Sequence, residues 1–274
     1  MNDRQNSIRV GNTCKRRGFT LIELSIVLVI IALIIGGILV GKDLIAASVI
    51  RAQVSQFEKY NTAVNTFKIK FNWLPGDMPS QAASALGFMS RRGDYGEGDG
   101  NGSLQVMVGY HSDQYQMGEL MIFWNDLATA QLIGDPITGT AQYNVYYECA
   151  GSTASDAIPC FPQCKLGGGA CFVRIFTDPT TGVAYYFLSN PGNLQVSFYS
   201  LAAITPAEAF SIDLKIDDGN PFTGKFTLAQ PDGNYISTPD TPAANACAVS
   251  ATAYNVSAKY ANQILCVPNI QVGF

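Results

Sequence analysis

Residues 24–41, Leu-Ser-Ile-Val-Leu-Val-Ile-Ile-Ala-Leu-Ile-Ile-Gly-Gly-Ile-Leu-Val-Gly, carry no charge at all. As a helix rising about 1.5 Å per residue, such a run covers roughly 27 Å, close to the hydrocarbon thickness of a bilayer. In front of it, residues 1–18 hold Arg4, Arg9, Lys15, Arg16 and Arg17 against the single acid Asp3. The positive-inside rule keeps this end in the cytoplasm and sends the rest of the chain across the membrane. A secretory signal peptide places small residues after its apolar core for cleavage, and a plain signal anchor needs no acid at its apolar edge. Glu23 stands at that edge, so the segment fits neither pattern.

The junction itself reads Lys15-Arg16-Arg17-Gly18-Phe19-Thr20-Leu21-Ile22-Glu23. A basic leader, a Gly-Phe step, a lone acid four residues on and then an uninterrupted apolar helix resemble the prepilin leader and N-methylation site of type IV pilins and type II secretion pseudopilins. The resemblance implies cleavage between Gly18 and Phe19 by a prepilin peptidase, methylation of the new Phe19 amine, and retention of the helix in the product. Partners then follow: the peptidase/methyltransferase, other pilin or pseudopilin subunits, and an inner-membrane assembly platform. The implied location is the bacterial inner membrane, single-pass with the head periplasmic, and afterwards an assembled filament in the periplasm or at the cell surface. The chemistry gives Glu23 a role of its own, because an unpaired carboxylate in the bilayer costs about 2.5–3.5 kcal/mol. Cleavage would create a cationic amine one helical turn away on the same face, and in the family the equivalent acid meets the amine of a neighbouring subunit during assembly. The alternative is a carboxylate snorkelling to the interface.

Beyond Lys42 and Asp43 the pattern narrows to a stripe: Ile50, Val54, Phe57, Tyr60, Val64, Phe67 and Phe71, spaced by three and four. This is an amphipathic helix continuing into water, stopped at Trp73-Leu74-Pro75-Gly76-Asp77. The expected organisation is a leader over 1–18, an N-terminal helix over 19–72 crossing the membrane at about 22–41, and a globular head over 73–274. With the resemblance, the expected fold class is α+β and pilin-like: a long helix on an antiparallel sheet with extra short helices. Many type IV pilins have a proline in the apolar stretch, whereas here no proline occurs before Pro75. Gly36, Gly37 and Gly41 weaken the helix locally in its place, by about 1 kcal/mol each relative to alanine. Pilin and pseudopilin stay open, although 256 residues after processing is large for a major subunit.

In the head, Glu97, Asp99 and Asn101 alternate before Gly102, like the start of a calcium loop, but Val108 stands where the bidentate acid belongs. The run reads either as a calcium site or as a glycine-rich turn with solvated acids; some pseudopilins bind calcium in their heads, and no other cofactor is expected. Glu119 to Leu132 reads as a helix stopped by Gly134-Asp135-Pro136. Strands are expected over 143–149, 171–176, 183–188 and 194–199, forming an antiparallel sheet. Thr205-Pro206-Ala207-Glu208 is a capping box opening a short helix to about Ile216, followed by a turn and another strand after Lys225. Asp213, Asp217 and Asp218 there form either a second cation site or a packing loop.

Of seven cysteines, Cys14 lies in the leader, leaving Cys149, Cys160, Cys164, Cys171, Cys247 and Cys266. An even set confined to an exported head suits disulfides, with fifteen pairings open. Cys247 with Cys266 would close a C-terminal loop like the disulfide-bounded loop of many pilins. The other four allow nested pairing (149 with 171, 160 with 164) or sequential pairing, and a four-thiolate zinc site is the rival. Loss of the leader, with five basic residues and one acid, takes the formal net charge from −4 to −8, so bulk binding of nucleic-acid phosphates is not expected. A different class of function is a membrane-tethered enzyme or ligand-binding domain. His111-Ser112-Asp113 invites a hydrolase reading, but adjacent positions do not make a triad, and the chain has one histidine. No catalytic residue is assigned.

Overall fold

The computed structural model describes residues 18–91, 98–104, 118–137, 160–166, 171–178, 181–190, 202–228, 247–250, 252–261 and 263–273. Two compact units divide the chain, Met1–Ala46 and Ala47–Phe274. Helix α1, Leu21–Phe71, runs through Gly36, Gly37 and Gly41 without interruption. It ends where Asn72 turns to φ +66°, a left-handed conformation that asparagine tolerates, with the Asn72 N–H still bonded to the Lys68 carbonyl at 2.8 Å.

Within the first unit, the described apolar side chains of α1 have nothing packed over them: Leu21, Leu33, Leu39 and Val40 are all more than half exposed. By length and composition α1 can cross a membrane.

The second unit is an α+β body built on the other half of α1. The stripe read from the sequence is the one that is buried, with Ile50, Phe57, Tyr60, Val64 and Phe67 inside and Val54 and Phe71 partly so. Among the described residues three more helices follow, α2 at Ser80–Ala85, α3 at Glu119–Thr129 and α4 at Pro206–Ile216. Helix α3 stops three residues short of the expected Leu132. Gln131 takes φ +58°, and the Leu132 N–H reaches back to the Leu127 carbonyl, the Schellman closure of a helix. Helix α4 opens with the expected box: the Glu208 carboxylate accepts from the Thr205 N–H at 2.8 Å while the Thr205 hydroxyl accepts from the Glu208 N–H at 3.2 Å.

Strands β1 (Phe172–Thr177), β2 (Ala184–Ser189), β3 (Phe226–Leu228) and β6 (Pro268–Gln271) form an antiparallel sheet in the order β1-β2-β6-β3; β4 (Ala248–Ser250) and β5 (Ala253–Tyr254) form a separate pair. The strands expected over 143–149 and 194–199 lie outside the described residues. Pairing Ile175 with Tyr186 places both on the face toward α1, where Tyr186 stacks with Phe57 at 6.1 Å and meets Trp124 of α3 at 5.9 Å. The opposite face is also covered. Arg174, paired with Phe187, lies over the Phe161 ring at 5.0 Å, and burial pulls its guanidinium down to about 9.

Buried glutamines interrupt the stripe, and they pin the helix to the loop that carries Gln163 and Lys165. Gln53 accepts from the Lys165 N–H at 2.8 Å, and the Gln56 amide donates to the Gln163 carbonyl at 2.9 Å and to the Tyr60 hydroxyl at 2.7 Å. The Tyr60 hydroxyl in turn donates to Asp135 at 3.1 Å. Each buried amide therefore keeps its partners inside.

Two disulfides are described, Cys164–Cys171 and Cys247–Cys266, with Cα separations of 5.3 and 5.1 Å. The first excludes the nested pairing and removes two thiolates from the four that zinc would need. Cys160 is disulfide-bonded as well, while Cys149 lies outside the described residues. Cys247–Cys266 joins the β4–β5 pair to the strand region beside Ile204. Replacing both cysteines by serine releases a loop of 19 residues, which costs about 3 kcal/mol. Thermal melts of the detergent-solubilised protein should show a fall of about 6–12 °C in Tm.

Candidate functional site

Among the described residues chemistry concentrates at the start of α1 and in the acid-lined loops of the second unit. At the first, Gly18 and Thr20 lie outside the helix and are exposed, and Phe19 is 90% exposed. A Cβ built on Gly18 would meet nothing within 4 Å, so nothing in the described fold demands a glycine there. Thr20 and Glu23 form a reciprocal cap. One Glu23 oxygen accepts from both the Thr20 N–H and its hydroxyl at 2.8 Å, and the Thr20 hydroxyl accepts from the Glu23 N–H at 3.3 Å. The box fixes the carboxylate at the first helical turn, bonded to Thr20, the residue that follows Phe19, and satisfies donors that α1 leaves open. The helix then continues as a charge-free, unpacked apolar surface to Gly41.

Residues 13–39 match the family described as the prokaryotic N-terminal methylation motif. That is the type IV pilin and pseudopilin signature. The chain matches no curated protein and no solved structure. The signature lies over Gly18, Phe19, Glu23 and most of the apolar run, and the α+β body behind it, a long helix followed by an antiparallel sheet and short helices, is pilin-like. The pilin-type motif points to a structural protein anchored by one N-terminal helix. His111, Ser112 and Asp113 lie outside the described residues.

Glu23, expected from the sequence to serve the amine, is also bonded to Thr20, and Thr-x-x-Glu ahead of an apolar run is the capping-box spacing that signals it. In the acid loops, Glu97 lies outside the described residues, while Asp99 and Asn101 bond each other. Asp99 accepts from the Asn101 N–H at 2.9 Å and from its side-chain amide at 2.6 Å, and the Asn101 side-chain oxygen accepts from the Ser103 N–H at 2.8 Å. The acids that converge on Asp99 are Asp77 and Glu119, from other parts of the chain. No sequence pattern links these three.

Asp213, Asp217 and Asp218 also converge, but hydrogen bonds already occupy them. Asp213 accepts from the Gly219 N–H at 3.2 Å and the Tyr254 hydroxyl at 2.6 Å, Asp217 from the Lys225 and Phe226 N–H groups, and Asp218 from Asn220 and Thr223. These bonds hold the end of α4 against β3 and β5. Burial, with the neighbouring acids adding to it, pushes the Asp213 carboxyl up to about 6. A carboxyl raised on folding binds its proton more tightly in the native state, so its contribution to stability is fullest below the unfolded value near 3.9 and is lost as pH rises toward 6. Asp213→Asn should therefore flatten the dependence of Tm on pH between about 4 and 6. Melts across that range for both proteins provide the check.

Proposed function

We propose that the chain is a structural subunit of a type IV-like filament, either a pilin, a minor pilin or a pseudopilin. In this reading a prepilin peptidase removes residues 1–18 at Gly18–Phe19, the Phe19 amine is methylated, and the subunit waits in the inner membrane with its head outside. Assembly then runs through the first part of α1. The observation that carries this is the methylation motif over residues 13–39, which runs into a charge-free stretch of helix, 24–41, whose apolar side chains are left exposed among the described residues. Such a surface can exchange lipid contacts for contacts with other copies at little net cost, since lipid tails are as apolar as leucine. The capped carboxylate of Glu23 supports the same scheme: it sits beside the amine that cleavage would expose, and a neighbour's amine offers a charge partner inside the apolar bundle.

Three variants test this in a host carrying its own prepilin peptidase and assembly machinery. Gly18→Val meets no clash in the fold, so retention of residues 1–18 and exclusion from filaments would report the peptidase's requirement alone. Glu23→Gln keeps an oxygen for the Thr20 cap but removes the charge, while Glu23→Ala removes both. Both should be cleaved normally, and both should enter filaments at least about tenfold less than the parent, because the amine loses a partner worth a few kcal/mol in hydrocarbon. Normal incorporation of uncleaved Gly18→Val would sink the filament reading. Parental incorporation of Glu23→Gln would confine Glu23 to capping.

A further inference from the structure

Three glycines bring distant parts of the second unit into contact around one group of acids. Gly76, at φ +91°, lies so close to Glu119 that a Cβ would fall 2.2 Å from its carbonyl oxygen. Gly98, at φ +63°, lies equally close to the Met78 carbonyl, and a Cβ on Gly100, at φ +75°, would strike Pro79 at 2.8 Å. The turn after Pro75, the loop 98–102 and the start of α3 are thus pressed together where only glycine fits. Behind them the fully buried Arg91–Asp126 pair, 2.5 Å apart, fixes the turn, with Asp126 accepting from the Gly76 N–H at 2.7 Å and Arg91 donating to the Met78 carbonyl at 3.3 Å.

This packing gathers a carboxylate oxygen from each of Asp77, Asp99 and Glu119 within 4.8 Å of one another. Asp77 and Glu119 are wholly buried, and Asp99 is at the surface. Asp77 is the informative member. Its Oδ2 accepts from the Gly102 N–H at 3.0 Å, but its Oδ1 is buried with no hydrogen-bond partner. A buried carboxylate oxygen left bare costs more than almost any other orphaned group, and here a second carboxylate stands beside it. Either a cation bridges them or they share a proton. We infer that Asp77, Asp99 and Glu119 bind a calcium ion, with Asp77 Oδ1 as the inner ligand and Asp99 as the solvent-side one. Three carboxylates, two on loops and one opening α3, with oxygens spread over up to 4.8 Å, suit a hard cation with oxygen bonds of 2.3–2.6 Å and loose geometry; magnesium's 2.0–2.1 Å octahedron fits such a spread poorly. The ligand set departs from the Glu97, Asp99 and Asn101 alternation and keeps only Asp99 from it. By joining the end of α1 to α3, the ion would brace the head, and this holds whether or not the chain forms filaments.

The test uses the full chain purified in detergent, stripped with EDTA and titrated with calcium chloride by calorimetry, with melts run in parallel. One-site binding is expected. With calcium a hundredfold above Kd, Tm should rise by about 5–10 °C over the EDTA value, and magnesium at the same concentration should give much less. Asp99→Asn changes an exposed side chain, so it should melt in EDTA within about 2 °C of the parent and lose the calcium response. Asp218→Asn, in the hydrogen-bonded loop, should keep it. No calcium response in the parent would leave a proton shared by Asp77 and Asp99 as the explanation and overturn the site. So would a full response in Asp99→Asn, and an equal response to magnesium would overturn the assignment to calcium.

Discussion

The second half of α1 is the element on which the head depends, and Tyr60 is its centre. Its ring meets Trp124 of α3 edge-on at 4.8 Å and Tyr186 of β2 at 6.0 Å, and its hydroxyl reaches Asp135. One residue thus joins the helix, the sheet and the loop that closes α3. Burial of large aromatic side chains contributes most of the stabilisation in such a core, and the glutamines beside Tyr60 add direction, because each has a partner at only one register of the helix against the loops. Further along, Phe67, Phe71 and Phe88 form an aromatic group with centroids 4.6–5.6 Å apart, which seals the end of α1 before the glycine turn.

The same helix carries opposite demands along its length. From Ile50 onward it is amphipathic and its apolar stripe is used by its own chain. From Leu24 to Gly41 it carries no charge, and among the described residues its apolar side chains are left exposed. A surface of that kind is stable only in lipid or against other apolar helices. The proposed filament role follows from this asymmetry, with the Thr20–Glu23 cap at the boundary where a charge can be held beside the helix start.

Much of this was legible because its causes are local. The stripe from Ile50 to Phe71 is fixed by helical spacing, and the box at Thr205 and Glu208 by a four-residue pattern. Strands β1 and β2 each begin one residue later than the apolar runs that announce them, because register depends on pairing with a neighbour. What the sequence could not reveal depends on distance along the chain. Arg91 finding Asp126 in the core, Gln56 finding the Gln163 carbonyl, and Asp77 and Glu119 joining Asp99 rest on tertiary packing that leaves no periodic trace. Helix α3 ended early for a subtler reason, since Gln131 took the left-handed position with Gly134 available three residues further on. At the N-terminus the residues were legible and one role was not: Glu23 was visible as a charge, while its bond to the Thr20 backbone belongs to the capping geometry.

Cleavage at Gly18–Phe19 is the step on which the proposed role turns, because it decides whether the apolar helix is an assembly surface or only an anchor. The most direct measurement is the intact mass of the protein taken from membranes of a host with its own prepilin peptidase, before and after reduction. A chain beginning at Phe19 and carrying one methyl group is the predicted result, and the six cysteines left after processing should together gain six hydrogens when reduced. A chain that retains residues 1–18 would contradict the proposal and make α1 the tether of a head whose activity lies elsewhere.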